Sequence, residues 1–141
     1  MTDELRMPRS LADEMVAHLL EERPNEGCGL VAGSDGRISK VIRMTNAAGS
    51  PVRYALDPKE QFTAYRMIET EAVELGGVFH SHTHTEAYPS PTDVRLASED
   101  VPYIIVSLAH EPADIRAFRI IKVSWDAPEG EIVEVPVVIE G

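Results

Sequence analysis

The chain has 141 residues, of which 43% are hydrophobic and 26% charged, a composition typical of a globular protein with its own core. Its formal net charge of −11 argues against binding to nucleic acid or to anionic membrane surfaces, because both reward clustered Lys and Arg. Cys28 is the single cysteine and cannot form an internal disulfide, so nothing points to an oxidising compartment.

This length predicts one domain, residues 1–141, rather than two. The N-terminus is polar and acidic, unlike a signal peptide, and no apolar run approaches the roughly 20 residues that span a bilayer. We therefore expect a cytoplasmic protein. Because a chain of this size folds without a structural metal, a metal bound to it is expected to serve catalysis.

The first part of the chain predicts a helix followed by short strands. Ser10 and Asp13 resemble a helix cap, and Pro24 ends the helix. The apolar face between them comprises Leu11, Met15 and Leu19, with Val16 and Leu20 beside them. A strand, a turn and two further strands are expected next, over residues 28–32, 34–36, 38–44 and 54–56.

A second helix is predicted to begin at Asp57-Pro58-Lys59-Glu60, which offers an N-cap, a proline in the first turn and a glutamate at the capping-box position. Gly76-Gly77 is expected to close it. Its predicted apolar stripe comprises Phe62, Tyr65, Ile68, Ala72 and Leu75.

The rest of the chain alternates strands with one short helix. Residues 78–81 form a strand that runs into a histidine pair, and Ser90-Pro91-Thr92-Asp93 opens a helix that reaches Ala97 or Ser98. Three further strands are predicted over residues 103–108, 115–121 and 132–139. The pattern indicates an α/β mixture of the α+β kind, in which helices pack on a mixed, mostly antiparallel sheet.

His80 and His82 lie two residues apart at the end of a predicted strand. Because strand side chains alternate between faces, both imidazoles project to the same side, where one ion can meet two nitrogens. Asp93, in the first turn of the next helix, can supply a carboxylate oxygen. Two imidazoles and one carboxylate leave a fourth position open for water, which is the pattern of a catalytic zinc site.

Each of these residues also has a structural interpretation. A His-x-His pair alone is a weak motif, and Ser90 with Asp93 makes a good helix cap in any protein. The two interpretations are compatible, since a capped helix start holds both side chains rigidly. Glu26 is the candidate general base, just before an apolar strand in which glycines flank Cys28, although alone it resembles a solvated surface glutamate.

The complete set resembles the JAMM, or MPN-plus, metallopeptidases, whose signature is an early glutamate, then His-Ser/Thr-His, seven residues, Ser, two residues and Asp. The matching residues are Glu26, His80-Ser81-His82, Ser90 and Asp93. Residues 80–97 are more similar still to the actinobacterial branch that hydrolyses a sulfur-carrier–cysteine adduct in cysteine biosynthesis. Met44-Thr45-Asn46 and residues 103–107 share this likeness, which covers essentially the whole chain.

This resemblance implies a single MPN/JAMM domain with a layout like that of cytidine deaminase, holding one zinc ion. Its implied ligands are His80, His82 and Asp93. Glu26 would be the general base and then the acid for the leaving amine, and Ser90 would donate a hydrogen bond to the oxyanion.

The remaining histidines are separate questions. His84 departs from the typical family pattern by creating His-x-His-x-His. It would face the same ion if the strand continued, but the chain is expected to have left the strand there. His18 and His110 lie away from the motif and are expected to face solvent.

The resemblance further implies a substrate, a small ubiquitin-like sulfur carrier whose C-terminal Gly-Gly is joined to cysteine by an amide. Hydrolysis would release cysteine and the free carrier. Two alternatives stay open: a JAMM peptidase that trims a C-terminal extension from a sulfur carrier or another ubiquitin-like protein, and a non-catalytic MPN-type binding module. The full set of ligands, base and serine argues against the module, and a zinc deaminase would need a second cysteine.

Overall fold

The computed structural model of the protein describes residues 4–141, which form one sheet with three helices. In chain order, the elements within these residues are β1 (Leu5–Pro8), α1 (Arg9–Glu22), β2 (Cys28–Ser34), β3 (Arg37–Met44), α2 (Pro58–Thr70), β4 (Glu74–His82), α3 (Pro91–Leu96), β5 (Tyr103–Ser107), β6 (Asp114–Ile121), β7 (Glu131–Val135) and β8 (Val137–Glu140). Within residues 4–141, no helix combines the length and the apolarity that crossing a membrane requires.

The sheet is mixed, with the strand order β7-β6-β5-β4-β2-β3-β1-β8. Antiparallel pairing joins β7 to β6, β6 to β5, β4 to β2 and β2 to β3. The pairs β5–β4, β3–β1 and β1–β8 are parallel. This arrangement confirms the predicted α+β class with a mixed, mostly antiparallel sheet.

The two edges of this sheet meet at one corner. β7 and β8 stand at opposite ends of the strand order, yet Pro136 alone separates them in the chain. The Pro136 carbonyl accepts a 2.9 Å hydrogen bond from the Leu5 N–H, so the sheet curls until its edges converge. The single strand predicted over 132–139 is therefore wrong, because a proline without an N–H lies where the chain passes between edges.

The middle strands carry side chains into two cores. Leu19 of α1 and Phe79 of β4 belong to one core, and Val78 of β4 belongs to the other, together with residues of α2. Since strand side chains alternate, His80 and His82 lie on the Val78 face. The histidine pair is therefore held on the side of the sheet that α2 covers.

The start of α1 differs from the prediction. The helix begins at Arg9, and its N-cap is Pro8, whose extended backbone (φ −64°, ψ 149°) continues the unpredicted strand β1. Ser10 lies inside the helix, so the cap predicted at Ser10 is wrong. The predicted stop before Pro24 is confirmed, since the helix ends at Glu22.

The start of α2 is confirmed. The Asp57 carboxylate accepts the N–H groups of Lys59 and Glu60 at 2.9 and 3.1 Å. The Glu60 carboxylate accepts the N–H and the hydroxyl of Thr45 at 2.7 and 2.8 Å. Glu60 therefore ties the helix to the preceding loop.

The buried face and the end of α2 differ from the prediction. Phe62 is 63% exposed, and the buried residues of the helix are Ala64 and Ile68. Gly76-Gly77 lies within β4 and does not close the helix. The strand predicted over 54–56 is reduced to one bridge to Asn46, so the segment between β3 and α2 is a loop.

We expect Gly29→Ala to destabilise the protein by about 2–3 kcal/mol, because a Cβ there would overpack a rigid site. It would lie 2.4 Å from the Ile42 carbonyl oxygen and 2.4 Å from the Phe79 ring. Gly76→Ala is the control, since its Cβ would meet the terminal methyl of Ile38 at 2.6 Å, and that methyl can turn away. Denaturant unfolding of both variants tests this expectation, and equal losses would contradict it.

Candidate active site

The structure brings His80, His82 and Asp93 together, as the sequence predicted. The two histidine Nε2 atoms are 3.3 Å apart. Oδ2 of Asp93 lies 3.3 Å from Nε2 of His80 and 3.0 Å from Nε2 of His82. All three side chains are buried, and β4 with the first turn of α3 supplies them.

These three atoms fit a divalent metal ion. Tetrahedral bonds of about 2.0–2.1 Å place neighbouring ligand atoms roughly 3.3–3.4 Å apart. The observed separations of 3.0 to 3.3 Å approach that value, and two imidazole nitrogens with one carboxylate oxygen form a donor set suited to zinc. Burial lowers the pKa of His80 despite the opposing effect of Asp93, which favours the neutral imidazole that metal binding requires.

Neighbouring hydrogen bonds fix the orientation of two of the candidate ligands. Nδ1 of His82 donates to the Glu86 carbonyl oxygen at 2.8 Å, so the lone pair of Nε2 faces the cluster. Asp93 and Ser90 form the predicted capping box: Ser90 N–H donates to Oδ2 of Asp93 at 2.9 Å, and Asp93 N–H donates to Oγ of Ser90 at 3.1 Å. Burial raises the pKa of Asp93, but the contacts with the imidazoles of His80 and His82 and with the Ser90 N–H outweigh it and hold the pKa well below its usual range.

The capping box also prepares the Ser90 hydroxyl. The Asp93 N–H uses a lone pair of Oγ and not the hydroxyl proton. Ser90 is only half-buried. Its O–H can therefore be offered to a group that enters beside Asp93.

Glu26 lies beside this cluster and is not a solvated surface residue. It is 4% exposed, and its buried Oε1 atom has no hydrogen-bond partner among the described residues. Burial raises its pKa to about 7, while His82 lowers the pKa and Asp93 raises it further. A carboxyl that exchanges its proton near neutral pH suits general acid–base chemistry.

Backbone pairing sets Glu26 next to the ligand strand. Gly27 N–H donates to Oγ of Ser81 at 2.8 Å, and Ser81 N–H donates to the Gly27 carbonyl at 3.1 Å. Cys28 then pairs directly opposite His80. Glu26, which precedes Gly27 in the chain, is consequently held at the edge of the cluster formed by His80, His82 and Asp93.

The other histidines lie outside the cluster. β4 ends at His82, and His84 is exposed and is not part of the candidate metal-ligating group found among residues 4–141. His110 is exposed, as predicted. The prediction for His18 is wrong: it is half-buried, and its Nε2–H donates to the carbonyls of Cys28 and Met44 at 3.0 and 3.2 Å.

Tyr54 is a site residue that the sequence did not reveal. Its ring stacks on the imidazole of His80, with centroids 4.4 Å apart and an interplanar angle of 22°. The stack covers one face of a candidate ligand and limits its movement. No local pattern marked this residue, because the loop that carries it has no periodicity.

Comparison with known proteins agrees with this geometry. Residues 8–121 match the family model described as prokaryotic homologs of the JAB domain. The chain is 42% identical over 132 residues to the CysO-cysteine peptidase of Mycobacterium tuberculosis, covering 90% of this chain and 85% of that protein. It is 41% identical over 102 residues to the probable TtuB-protein conjugate cleaving protease of Thermus thermophilus, covering 72% of this chain and 68% of that protein.

A solved structure shows the same fold. Protein DSY2949 from Desulfitobacterium hafniense superposes with a TM-score of 0.84 at 32% identity, covering 96% of this chain and 92% of that chain. The agreement therefore extends over nearly the full length of both chains.

We expect Asp93→Asn and His82→Ala to weaken zinc binding by more than about a hundredfold, because each removes or neutralises a ligand. Zinc stoichiometry and chelator competition measure the loss. His84→Ala is the matched control and should bind zinc like the wild type, since His84 is exposed and outside the cluster. An equal loss in His84→Ala would overturn this ligand set.

Because burial raises the pKa of Glu26, we expect the stability of the metal-free protein to depend on pH. Its pKa rises from 4.5 to about 7 on folding, so the folded state holds the proton more tightly and loses stability as the pH rises between these values. Glu26→Gln stays neutral and escapes that loss. We expect metal-free Glu26→Gln to be more stable than the wild type at pH 8, by at least about 1 kcal/mol, and nearly equal at pH 4.5.

Thermal or denaturant unfolding at the two pH values tests this expectation. Glu86→Gln is the control, because Glu86 is an exposed glutamate of the same region and its side chain is outside the candidate ligand group. A Glu26→Gln difference that does not change with pH would contradict the expectation.

Proposed function

The chain belongs to the prokaryotic homologs of the JAB domain, and we propose that it hydrolyses the amide bond between the C-terminal glycine of a small ubiquitin-like sulfur carrier and cysteine. The family membership confirms the predicted likeness to JAMM metallopeptidases and the predicted hydrolase class. The proposal extends to residues 1–141 acting as one catalytic domain with one zinc ion.

One observation supports this function above the others. Three atoms that can ligate a metal converge within 4.8 Å of one another, and the buried carboxyl of Glu26 lies beside them with an oxygen that has no hydrogen-bond partner among residues 4–141. A binding module has no use for a carboxyl buried without a partner, because its burial lowers stability. A hydrolase can use such a carboxyl, because its free oxygen can take a proton from water.

We assign the metal site to His80, His82 and Asp93. A zinc ion held by these residues would lower the pKa of its bound water to near 7 and would polarise the scissile carbonyl. Asp93 accepts a hydrogen bond from the Ser90 N–H, and Nδ1 of His82 donates one to the Glu86 carbonyl, so both side chains are oriented before any ion arrives.

Glu26 is the proposed general base and general acid. Its carboxylate accepts a proton from the attacking water, the water oxygen bonds to the glycine carbonyl carbon, and the carbon–nitrogen bond breaks. Glu26 then returns the proton to the departing amine of cysteine. A pKa of about 7 suits both transfers, because neither protonation state is strongly favoured at neutral pH.

Ser90 is the proposed oxyanion donor. Its hydroxyl oxygen is fixed by the Asp93 N–H, and its proton can point to the carbonyl oxygen as negative charge develops there. The same capped turn therefore orients one candidate ligand and one candidate donor.

The proposed substrate is supported by the relatives and by the burial of the site. A relative 42% identical to this chain is named a CysO-cysteine peptidase. A Gly-Gly end suits a recessed cluster, because two residues without side chains can bring a carbonyl close to buried ligands. The proposed products are free cysteine and a carrier with a C-terminal carboxylate.

A second candidate is cleavage of a carrier from a longer conjugate. The likeness to a probable TtuB-protein conjugate cleaving protease supports it. The catalytic groups would be the same, and the two candidates differ only in the group that is joined to the glycine carbonyl by the scissile amide.

Incubation of the zinc-loaded protein with a purified carrier–cysteine adduct tests the proposal by intact mass. We expect the adduct to lose the mass of one cysteinyl residue. Glu26→Gln should keep its zinc and lose turnover by at least about a hundredfold, because the proton acceptor is gone. If the adduct stays intact while a carrier whose C-terminal glycine is joined to a longer peptide or protein is cleaved, the second candidate replaces the first.

A further inference from the structure

Asn46 occupies a central position in the loop between β3 and α2. Its side chain is buried, with 7% exposure. Nδ2 donates to the carbonyl oxygens of Glu26 at 2.9 Å, Arg53 at 3.0 Å and, more weakly, Ser50 at 3.4 Å. Oδ1 accepts the N–H groups of Ala48 at 2.9 Å and Ala55 at 3.0 Å. Since carbonyls only accept and N–H groups only donate, a single orientation of the amide satisfies all five contacts.

One end of this network holds the proposed base. The Glu26 carbonyl accepts from Asn46, and the Glu26 N–H donates to the Ser50 carbonyl at 3.0 Å. On the other side, Gly27 is paired with Ser81 of β4. The backbone of Glu26 is therefore held between the loop and the ligand strand, while Oε1 of its carboxyl has no hydrogen-bond partner among the described residues.

The other end of the network holds the ring that covers His80. Asn46 binds the Arg53 carbonyl and the Ala55 N–H, which flank Tyr54 in the chain. Tyr54 in turn stacks on His80. One amide thus joins the residue that would move the proton to the ring that packs on a metal ligand.

We infer that Asn46 is a positioning residue for the proposed reaction, with its amide setting the place of Glu26 relative to the ligand strand. This inference rests on the proposed function. Loss of the donor end should let Glu26 shift, and a displacement of about 1 Å at a reacting group can reduce turnover by roughly a hundredfold. Substrate affinity should change little, because Asn46 is buried and bound by the loop.

Asn46→Asp is the sharpest variant, since it keeps the acceptor oxygen for Ala48 and Ala55 but replaces the donor with an oxygen. That oxygen would face the carbonyls of Glu26 and Arg53, which it cannot bind. Asp57→Ala is the matched control: it removes the N-cap of α2 at the end of the same loop without touching Glu26. Both variants should melt a few degrees below the wild type and bind one equivalent of zinc.

The kinetic readout separates positioning from stability. With whichever adduct the wild type cleaves, Asn46→Asp should lower kcat about 30- to 100-fold and leave KM within about threefold. Asp57→Ala should keep kcat within about threefold. Equal kcat values for the two variants would overturn the inference, because a merely structural role predicts them.

A second readout needs no turnover. In metal-free protein, amide exchange measured by NMR should accelerate at Glu26 and Gly27 in Asn46→Asp, by about tenfold or more, and not in Asp57→Ala. Unchanged exchange would contradict the inference that Asn46 restrains the backbone of Glu26. If the wild type cleaves neither the carrier–cysteine adduct nor the longer conjugate, the proposed function alone is refuted. The exchange measurement then still tests whether Asn46 restrains the backbone of Glu26. If Asn46→Asp does not fold, Asn46→Ala, which deletes the amide without adding charge, carries the same expectations.

Discussion

The antiparallel pairing of β2 with β4 is the constraint on which the rest of the site depends. Glu26 and His80 are far apart in the chain, and the register that sets Cys28 opposite His80 brings them together. The pairing is close because glycine occupies positions where a Cβ would collide: at Gly29 the Ile42 carbonyl and the Phe79 ring leave no space. The proposed base and a candidate metal ligand are therefore fixed by main-chain hydrogen bonds, which are stiffer than contacts between long side chains.

Without an ion, the two buried carboxyls of the site are unequally compensated. Asp93 accepts hydrogen bonds from its own helix cap and lies against two imidazoles, so its charge is stabilised. Oε1 of Glu26 has no hydrogen-bond partner in the described part of the chain, and the nearby charge of Asp93 adds to the cost of ionising Glu26. A cation bound at the cluster would stabilise the negative charge of Asp93 further and would lower the cost of ionising Glu26. The arrangement lowers the stability of the metal-free fold and is consistent with a site shaped for a positive charge.

Sequence reasoning succeeded where a feature depends on neighbours in the chain. The Asp57 cap, the Ser90–Asp93 box and the shared face of His80 and His82 follow from spacing alone, and the structure contains all three. It failed where contacts between residues far apart in the chain determine the structure. Pro136 divides a predicted strand because the sheet curls on itself, and the aromatic Phe62 faces solvent because α2 turns Ala64 and Ile68 to the core. His18 is bound by carbonyls of two strands that no helical pattern could reveal.

The same distinction explains why the candidate ligands could be predicted from the sequence, whereas Tyr54 and Asn46, which support the site, could not. The metal-facing groups come from a strand and a capped helix, two regular elements with recognisable periods. The proposed base and the ring over His80 sit outside regular structure, where backbone geometry needs hydrogen bonds from a side chain. Asn46 supplies these hydrogen bonds through one amide. No sequence pattern around an asparagine in a loop predicts such a role. A substitution of Asn46 can thus alter the chemistry of the site without altering the motif.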